Sequence, residues 1–526
     1  MKLMTFFQRY KELLIIFFLY SSANILLLLN TSGIYWDDWS LVNNSYETKY
    51  DMFSQASGTF LGTMGASLHH TLLSVGNGIF VYRVLTFIMY FFIILFLFTI
   101  LNKIKELSTR DRFFIITLFS VAPLNSARIA IINFPYVLYL GIFFFAFYLL
   151  SNKLDRGRYF LRYIILALFF ISFIINSLLV FYAIVLFFIF YINYMHREDR
   201  YMKKLQLFIF SNLDFILLPI IFFMVKVNYC VSTGLYASYN SINLESLFAV
   251  PVGVLIAFYT AFVEPISQSA SLLPYFWGVL FIFLIYVKSN EYTSQNRDIK
   301  MDFIFLYVGI IFFILAVFPY VAVGKIPTMD ALKSRHQLLV PLGFVFMLYF
   351  GIKIISVKMK FTYYVEHAIM VFFVLAFLTQ NVYSYYGYKQ DWFYQVAIEE
   401  QMKESALIRQ NSTFVVEVAL ENKLANGRKL SFYEQNGRLK KIFNRDNRLM
   451  VNDEQELNRV LKYRQHKQYN FSTWIPQDII YLRITEKKQS NFYFLKLFFY
   501  EFYNQKKFRI LAKDLIKIKA LKHVSE

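Results

Sequence analysis

Cysteine is almost missing from this chain: Cys230 is the only one in 526 residues. No disulfide can form within the chain, no cysteine-based metal site exists, and thiols carry no information on compartment. Charge is scarce as well, at 17% of residues, where a soluble globular chain carries about a quarter. The 18 Gly and 10 Pro are too few for a collagenous or low-complexity disordered chain. Acidic residues are in deficit, 34 Asp and Glu against 54 Lys and Arg, for a net charge of +20. There is no Walker motif and no dinucleotide fingerprint, which argues against nucleotide hydrolysis.

What is present is apolar surface. Fifty-eight per cent of residues are hydrophobic and 62 are Phe, 40 Tyr and 5 Trp; the mean hydropathy is +0.46. AT-rich codons account for part of the aromatic excess, but not for long apolar runs. Spanning a bilayer takes about 20 apolar residues, and candidate spans lie at 13–30, 79–101, 113–124, 135–150, 160–175, 178–194, 207–225, 272–288, 303–322, 338–356 and 365–383. The chain is therefore expected to be a polytopic α-helical membrane protein with about 11 transmembrane helices. Residues 1–12 are basic and polar, and 13–29 has no small-residue cleavage site, so that run is expected to remain as the first span. The segment 247–264 is apolar too, but Pro251 and the Glu264-Pro265 pair suit a re-entrant or interfacial helix at least as well as a span.

Basic residues set orientation. Lys2, Arg9 and Lys11, Lys103 to Arg112, Lys153 to Arg158, Arg197 to Lys204 and Lys353 to Lys360 all fall on one face if the N-terminus is cytoplasmic and 247–264 does not cross. Loops 31–78, 125–134, 226–271 and 323–337, and everything after 383, then lie outside. The basic stretches alternate with apolar spans, so the positive-inside rule explains them more simply than nucleic acid does, and no nucleic-acid partner is expected. No span carries a mid-depth charge relay of the kind a proton-coupled transporter needs; Asp214 and Lys226 come nearest.

At about residue 384 the composition turns polar. Residues 413–420 and 478–485 alternate and are β-branched, as strands do, and 453–463 has a helical pattern. Residues 384–526 are thus expected to form a soluble α/β domain. It is basic, with 26 Lys and Arg against 16 Asp and Glu, which suits an anionic acceptor or headgroup surface, or is simply a solvated face. Its last segment, 492–519, aromatic and basic, reads as a strand–helix pair or a membrane-surface helix.

Two local motifs carry chemistry. Tyr35-Trp36-Asp37-Asp38-Trp39 follows the first span. Trp and Tyr at that level are usually belt residues, which explains the rings but not an acid pair that repels itself. Asp37 and Asp38 are candidates for a catalytic base and its orienting partner. Ser334-Arg335-His336-Gln337 sits at the outer end of a later span. Arg335 offers a fork for a phosphate and His336 a donor or proton shuttle; a snorkelling Arg and an interfacial His are the plain alternative. Weaker candidates on the same face are Arg128 with Asn125, the pair His69-His70, and Tyr239 and Asn240 in a polar loop. The spacing of the histidines and aspartates matches no standard metal site. Ser431 to Glu434 and Asn436-Gly437 stand out in the polar region without an assignable role.

A first span followed directly by an outer acidic pair, many further spans and a soluble C-terminal domain resembles the GT-C superfamily of membrane glycosyltransferases, and within it the bacterial O-antigen glucosyltransferase type. The resemblance covers the architecture of the whole chain, 1–383 as a GT-C-like membrane domain and 384–526 as an extracytoplasmic domain, with Asp37-Asp38-Trp39 and Arg335-His336 as its short motifs. It implies an enzyme of the bacterial cytoplasmic (inner) membrane that moves a sugar from a polyprenyl-phosphate donor to an envelope polysaccharide or glycolipid acceptor, with inversion. Asp37 or Asp38 would then deprotonate the acceptor hydroxyl. Arg335, His336 and Arg128 would stabilise the departing phosphate, with Trp36, Trp39, His69, His70, Tyr239 and Asn240 as further substrate-binding candidates. Some members of the superfamily use a divalent cation, Mg2+ or Mn2+, and others none. A lipid-linked oligosaccharide flippase or exporter, a polysaccharide polymerase or ligase, and a non-enzymatic scaffold are the rival readings; the short outer loop 323–337 counts against the polymerase.

Overall fold

The computed structural model describes residues 2–42, 44–153, 159–237, 241–242, 244–270, 299–463 and 473–520. Among these, eight helices are long and apolar enough to cross a membrane, or nine if the pair Tyr201–Ser211 and Leu213–Tyr229, bent by 59°, makes one broken span. The chain is a helical bundle of multi-pass membrane type carrying a small sheet at its C-terminal end.

Several expected spans take a different form. The segment 113–124 belongs to a 13-residue helix, Thr109–Val121, started by a Ser108–Asp111 capping box. The expected 160–175 span is the short helix Tyr159–Ser172. The expected 207–225 span is broken at Asn212, whose non-helical backbone is held by its own amide on Tyr194 Oη (3.1 Å) and the Phe208 carbonyl (3.0 Å). The expected span 272–288 lies outside the described residues. The doubtful 247–264 segment is the helix Val250–Ala270. It is long and apolar enough to cross. Gly253 packs on Val321, Thr260 reaches the Pro327 carbonyl and Gln337, and Gln268 bonds Gln380. All of those partners lie toward one end of the bundle.

The neighbours that define the bundle are Lys2–Leu28 with Tyr363–Glu404, Gly78–Leu101 with Phe134–Lys153, and Ile299–Val321 with Val340–Lys358. One large apolar cluster of Phe, Leu, Ile and Val runs through them. One end is closed by matched charges. Lys353 pairs with Asp111 (3.0 Å) and Asp302 (2.7 Å), Tyr349 donates to Asp111 (2.6 Å), and Arg110 pairs with Glu366 (2.6 Å). The other end gathers the turns 29–37, 122–133 and 322–339, and there the C-terminal residues dock.

The composition boundary at 384 is not a structural boundary. Tyr363–Glu404 is one helix of 42 residues. At 1.5 Å per residue it is roughly 60 Å long, about twice the hydrocarbon thickness. Its polar second half continues because the polar side chains are buried against the C-terminal residues. Asp391 holds Arg428 through two bonds (2.5 and 3.0 Å), Gln395 accepts from Arg438 (2.6 Å), and Glu399 takes Lys441 (2.8 Å). Beyond it lies a four-stranded sheet, β1 (Thr413–Ala419), β2 (Leu449–Val451), β3 (Ile480–Glu486) and β4 (Ile516–Ala520), in the order β2-β1-β3-β4. The first three are parallel and β4 is antiparallel to β3. Helices Phe432–Phe443, Glu454–Lys462, Asn491–Tyr503 and Gln505–Ala512 cover it. The β1 and β3 runs fall where the alternating pattern is, and the final segment is two helices followed by β4.

Candidate functional site

The site is built where the first helix ends. Gly33 makes the turn: a Cβ there would sit 2.2 Å from Asn30 Oδ1 and 2.5 Å from Tyr35 Oη. Tyr35 is buried and donates to the Tyr388 carbonyl (2.6 Å) of the long helix. Trp36 is left-handed, with φ 47°, a conformation that costs an ordinary residue about 1–2 kcal/mol. Its indole is held by the edge of Tyr388 (5.6 Å between centroids) and by the Arg428 guanidinium (5.3 Å). Directly after this strained residue, two adjacent carboxylates enter different surroundings.

Asp38 is fully buried. Its Oδ2 accepts from the backbone N–H of Tyr35 (3.2 Å) and Ile131 (3.1 Å), and its Oδ1 from Ile132 (2.9 Å). It staples the first turn to the 122–133 turn. Burial pushes its carboxyl up to about 7, against the pull of Arg83 and those three peptide N–H groups. Arg83 itself donates to the Asn30 (3.4 Å) and Gly33 (2.8 Å) carbonyls, so it holds the same turn. Asp37 is half-buried. Burial raises its pKa; Arg335 and a hydrogen bond from Tyr433 pull it down, and Glu434 pushes it up. The expected acid pair thus divides: Asp38 is a structural staple with both oxygens on peptide N–H groups and Arg83 nearby, and Asp37 faces Arg335 and the C-terminal side chains Tyr433 and Glu434.

Those cations come from two turns. Ser126 and Ser334 join them, Oγ to Oγ at 3.2 Å, and Ser334 also accepts from the Ala127 N–H (2.8 Å). Arg335 is half-buried and acts on both Asp37 and Lys325. Burial first, then Arg335, brings the Lys325 ammonium down to about 8. His336 is buried, and desolvation with Arg335, Lys325 and Lys333 nearby drives its imidazole down to about 3. That shift favours the neutral imidazole, which can still donate from a ring N–H, as expected of His336. Arg128 is 2% exposed. Its Nε donates to Tyr385 Oη (2.6 Å) and one terminal nitrogen to Asn24 Oδ1 (2.8 Å), and its plane lies 4.4 Å from the Tyr90 centroid. The other terminal nitrogen is buried with no hydrogen-bond partner, and Arg128 makes no ion pair, among the described residues. A buried cation without a counter-ion is costly.

The remaining candidates are not brought to Asp37. His69 is a core histidine: its Nδ1 lies 2.6 Å from Tyr82 Oη, its ring stacks on Phe53 at 5.1 Å, and burial drops its pKa to about 4. His70, next on the same helix, is exposed and touches Tyr46 edge-on. The pair points two ways because neighbours on a helix are about 100° apart. Tyr239 and Asn240 lie outside the described residues. Trp36 and Trp39 are not a lipid belt. Both are buried in the apolar cluster of the C-terminal residues. Arg438 lies 5.0 Å from the Trp39 ring, and a Cβ on Gly437 would come within 3.0 Å of it.

Tyr433, Lys325, Tyr385 and the Asp391–Arg428–Glu434 chain are the site residues the sequence does not announce. Glu434 caps its own helix through Ser431 and takes two bonds from Arg428 (2.8 and 3.0 Å), so the Ser431–Glu434 motif is what aims Tyr433 at Asp37. The capping spacing is legible in sequence; its target is not. For a divalent cation the donors do not fit. Asp38 is occupied by peptide N–H groups, and the described residues contain no cluster of three or more His, Cys, Asp or Glu able to hold a metal. No protein-family model matches the chain, and no curated protein matches it in sequence.

Proposed function

We propose that this protein is a membrane glycosyltransferase of GT-C type. It would transfer a sugar from a polyprenyl-phosphate donor to a polysaccharide or glycolipid acceptor at the outer face of a cytoplasmic membrane, with the N-terminus cytoplasmic. The observation that carries the reading is the half-buried carboxylate of Asp37, set between Arg335 and Tyr433 at the end of the bundle where Arg128 is buried with no counter-ion among the described residues.

In this mechanism the Asp37 carboxylate takes the proton of the acceptor hydroxyl. The hydroxyl oxygen bonds to the anomeric carbon as the bond from that carbon to the phosphate oxygen breaks, and the configuration inverts. The phosphate leaves with the electron pair. Arg335, Lys325 and Arg128 stabilise the charge it gains, by the same electrostatics that serve other departing phosphates. Arg335 and Tyr433 favour the ionised form of Asp37 against the upward push of burial, as a base near neutral pH requires. Asp38 fixes the backbone from which Asp37 projects. The C-terminal residues supply Tyr433 and the backing of Trp36 and Trp39, so they belong to the site and are not an accessory.

The test is transfer by the purified full chain from a polyprenyl-phosphate sugar to a saccharide acceptor. Asp37→Asn should abolish it with the fold intact; full transfer by that variant sinks the mechanism. Movement of a labelled lipid-linked sugar across liposomes by Asp37→Asn would instead favour the flippase reading.

A further inference from the structure

Helix Asn491–Tyr503 has two unlike faces. Phe494, Leu497 and Glu501 are buried. Phe492, Leu495, Phe499, Phe502 and Tyr503 are exposed, at 75, 63, 56, 41 and 75%. Intervals of three and four residues put the first four on one stripe, and Tyr503 stacks on Phe499 at 4.4 Å. A continuous stripe of large apolar rings on a charged, basic segment is not an ordinary water-facing surface.

The position of this helix says what covers the stripe. Glu501 forms a buried ion pair with Lys389, and the same ammonium donates to the Leu29 carbonyl at 2.7 Å. Lys389 also lies 5.4 and 5.3 Å from the Phe498 and Phe502 rings. Leu29 closes the first membrane-spanning helix, and Leu26 of that helix packs into the same apolar cluster as Tyr493, Phe498 and Tyr500. The helix is thus pinned where a span leaves the hydrocarbon. Lys496, Lys506 and Lys507 are exposed beside the stripe, and Lys507 sits 4.3 Å from the Tyr500 centroid. Rings toward the acyl boundary and ammonium groups at the phosphate level is the arrangement of an interfacial helix.

We propose that Asn491–Tyr503 is a lipid-binding foot, which seats the C-terminal residues on the bilayer by burying the Phe492–Leu495–Phe499–Phe502 stripe among headgroups and setting Lys496, Lys506 and Lys507 against anionic lipid phosphates. The proposal needs the multi-pass architecture but not the glycosyltransferase reading.

The test uses the full chain in a Cys230→Ser background, in nanodiscs of phosphatidylcholine with a minority of phosphatidylglycerol. A nitroxide is placed singly at Leu495→Cys, Phe499→Cys or, as an aqueous control on β1, Glu417→Cys, all exposed positions. Oxygen and a water-soluble nickel chelate then serve as collision partners. Labels at 495 and 499 should favour oxygen over nickel by several-fold relative to 417. Equal nickel accessibility at all three sites overturns the proposal. So does dipolar broadening at 499, which would mean a second copy covers the stripe. Reversing Lys496, Lys506 and Lys507 to Glu should lower the immersion of 499 in anionic discs and leave it unchanged in pure phosphatidylcholine; no change in the anionic discs overturns the electrostatic half.

Discussion

The two ends of the helical bundle handle buried charge in opposite ways. At the closed end every buried charge described above meets its opposite: Lys353 sits between Asp111 and Asp302, and Arg110 on Glu366. At the site end Arg128 is as deeply buried, with hydrogen bonds to Tyr385 and Asn24 and the Tyr90 ring beside it but no ion pair among the described residues, and Lys325 and Arg335 lie close enough to depress one lysine's pKa. The first arrangement is complete without a ligand. The second leaves the Arg128 charge unmatched among the described residues, and under the proposed function the donor phosphate supplies the counter-charge. A related contrast recurs one residue apart, between Asp38, consumed by three peptide N–H groups, and Asp37, which faces Arg335.

The strongest way to break this contrast is at the aspartates. Asp37→Asn should cut transfer by about 10²–10⁴, the usual contribution of a positioned base, with thermal unfolding unchanged. Asp38→Ala should instead unfold the site end, since three buried N–H groups lose their acceptor at roughly 1–3 kcal/mol each; a thermal melt separates the two. Equal effects on stability would erase the division of roles.

Charge removal at the two ends comes next in size. Lys353→Met strands two carboxylates and should cost about 3–5 kcal/mol, read from the unfolding midpoint in detergent. Arg128→Met removes a buried cation that has no ion-pair partner among the described residues, together with its hydrogen bonds to Tyr385 Oη and Asn24 Oδ1. It should cost less stability than Lys353→Met while raising the donor KM at least tenfold. A stability loss as large as that of Lys353→Met would mean that its charge is matched after all.

The smallest expected effect sharpens the picture of Asp37. A base works only as the carboxylate, so activity falls as pH drops through its pKa, and burial already places that limb above the usual aspartate range. Tyr433→Phe removes a hydrogen bond that lowers the pKa. It should move the acid limb to higher pH, reducing kcat along that limb with little change on the plateau above it. A pH profile unchanged from wild type would leave Tyr433 outside the site.

Hydropathy located most of the apolar helices and the change of character near residue 384, because lipid selects side chains locally, one turn at a time. It misplaced that change as a domain border. Asp391, Gln395 and Glu399 are polar because they meet Arg428, Arg438 and Lys441, not because the helix has ended. The acid pair was visible as a motif, but the roles of its members were not, since two of the three backbone groups that claim Asp38 lie more than 90 residues away. The histidine pair was misleading for the matching reason: adjacency in sequence is divergence on a helix.

By itself, then, the sequence determined a multi-pass helical chain with a basic C-terminal region and an acidic pair just past the first span. All of these follow from composition and short periodicities. Only the tertiary structure decided that Asp37 and not Asp38 faces Arg335, that Tyr433 comes to it from beyond the last span, that Trp36 and Trp39 are buried beneath the C-terminal residues, and that Arg128 has no counter-ion among the described residues. Each of these depends on which distant groups the fold brings within hydrogen-bonding reach, and a carboxylate or guanidinium takes its chemistry from those neighbours.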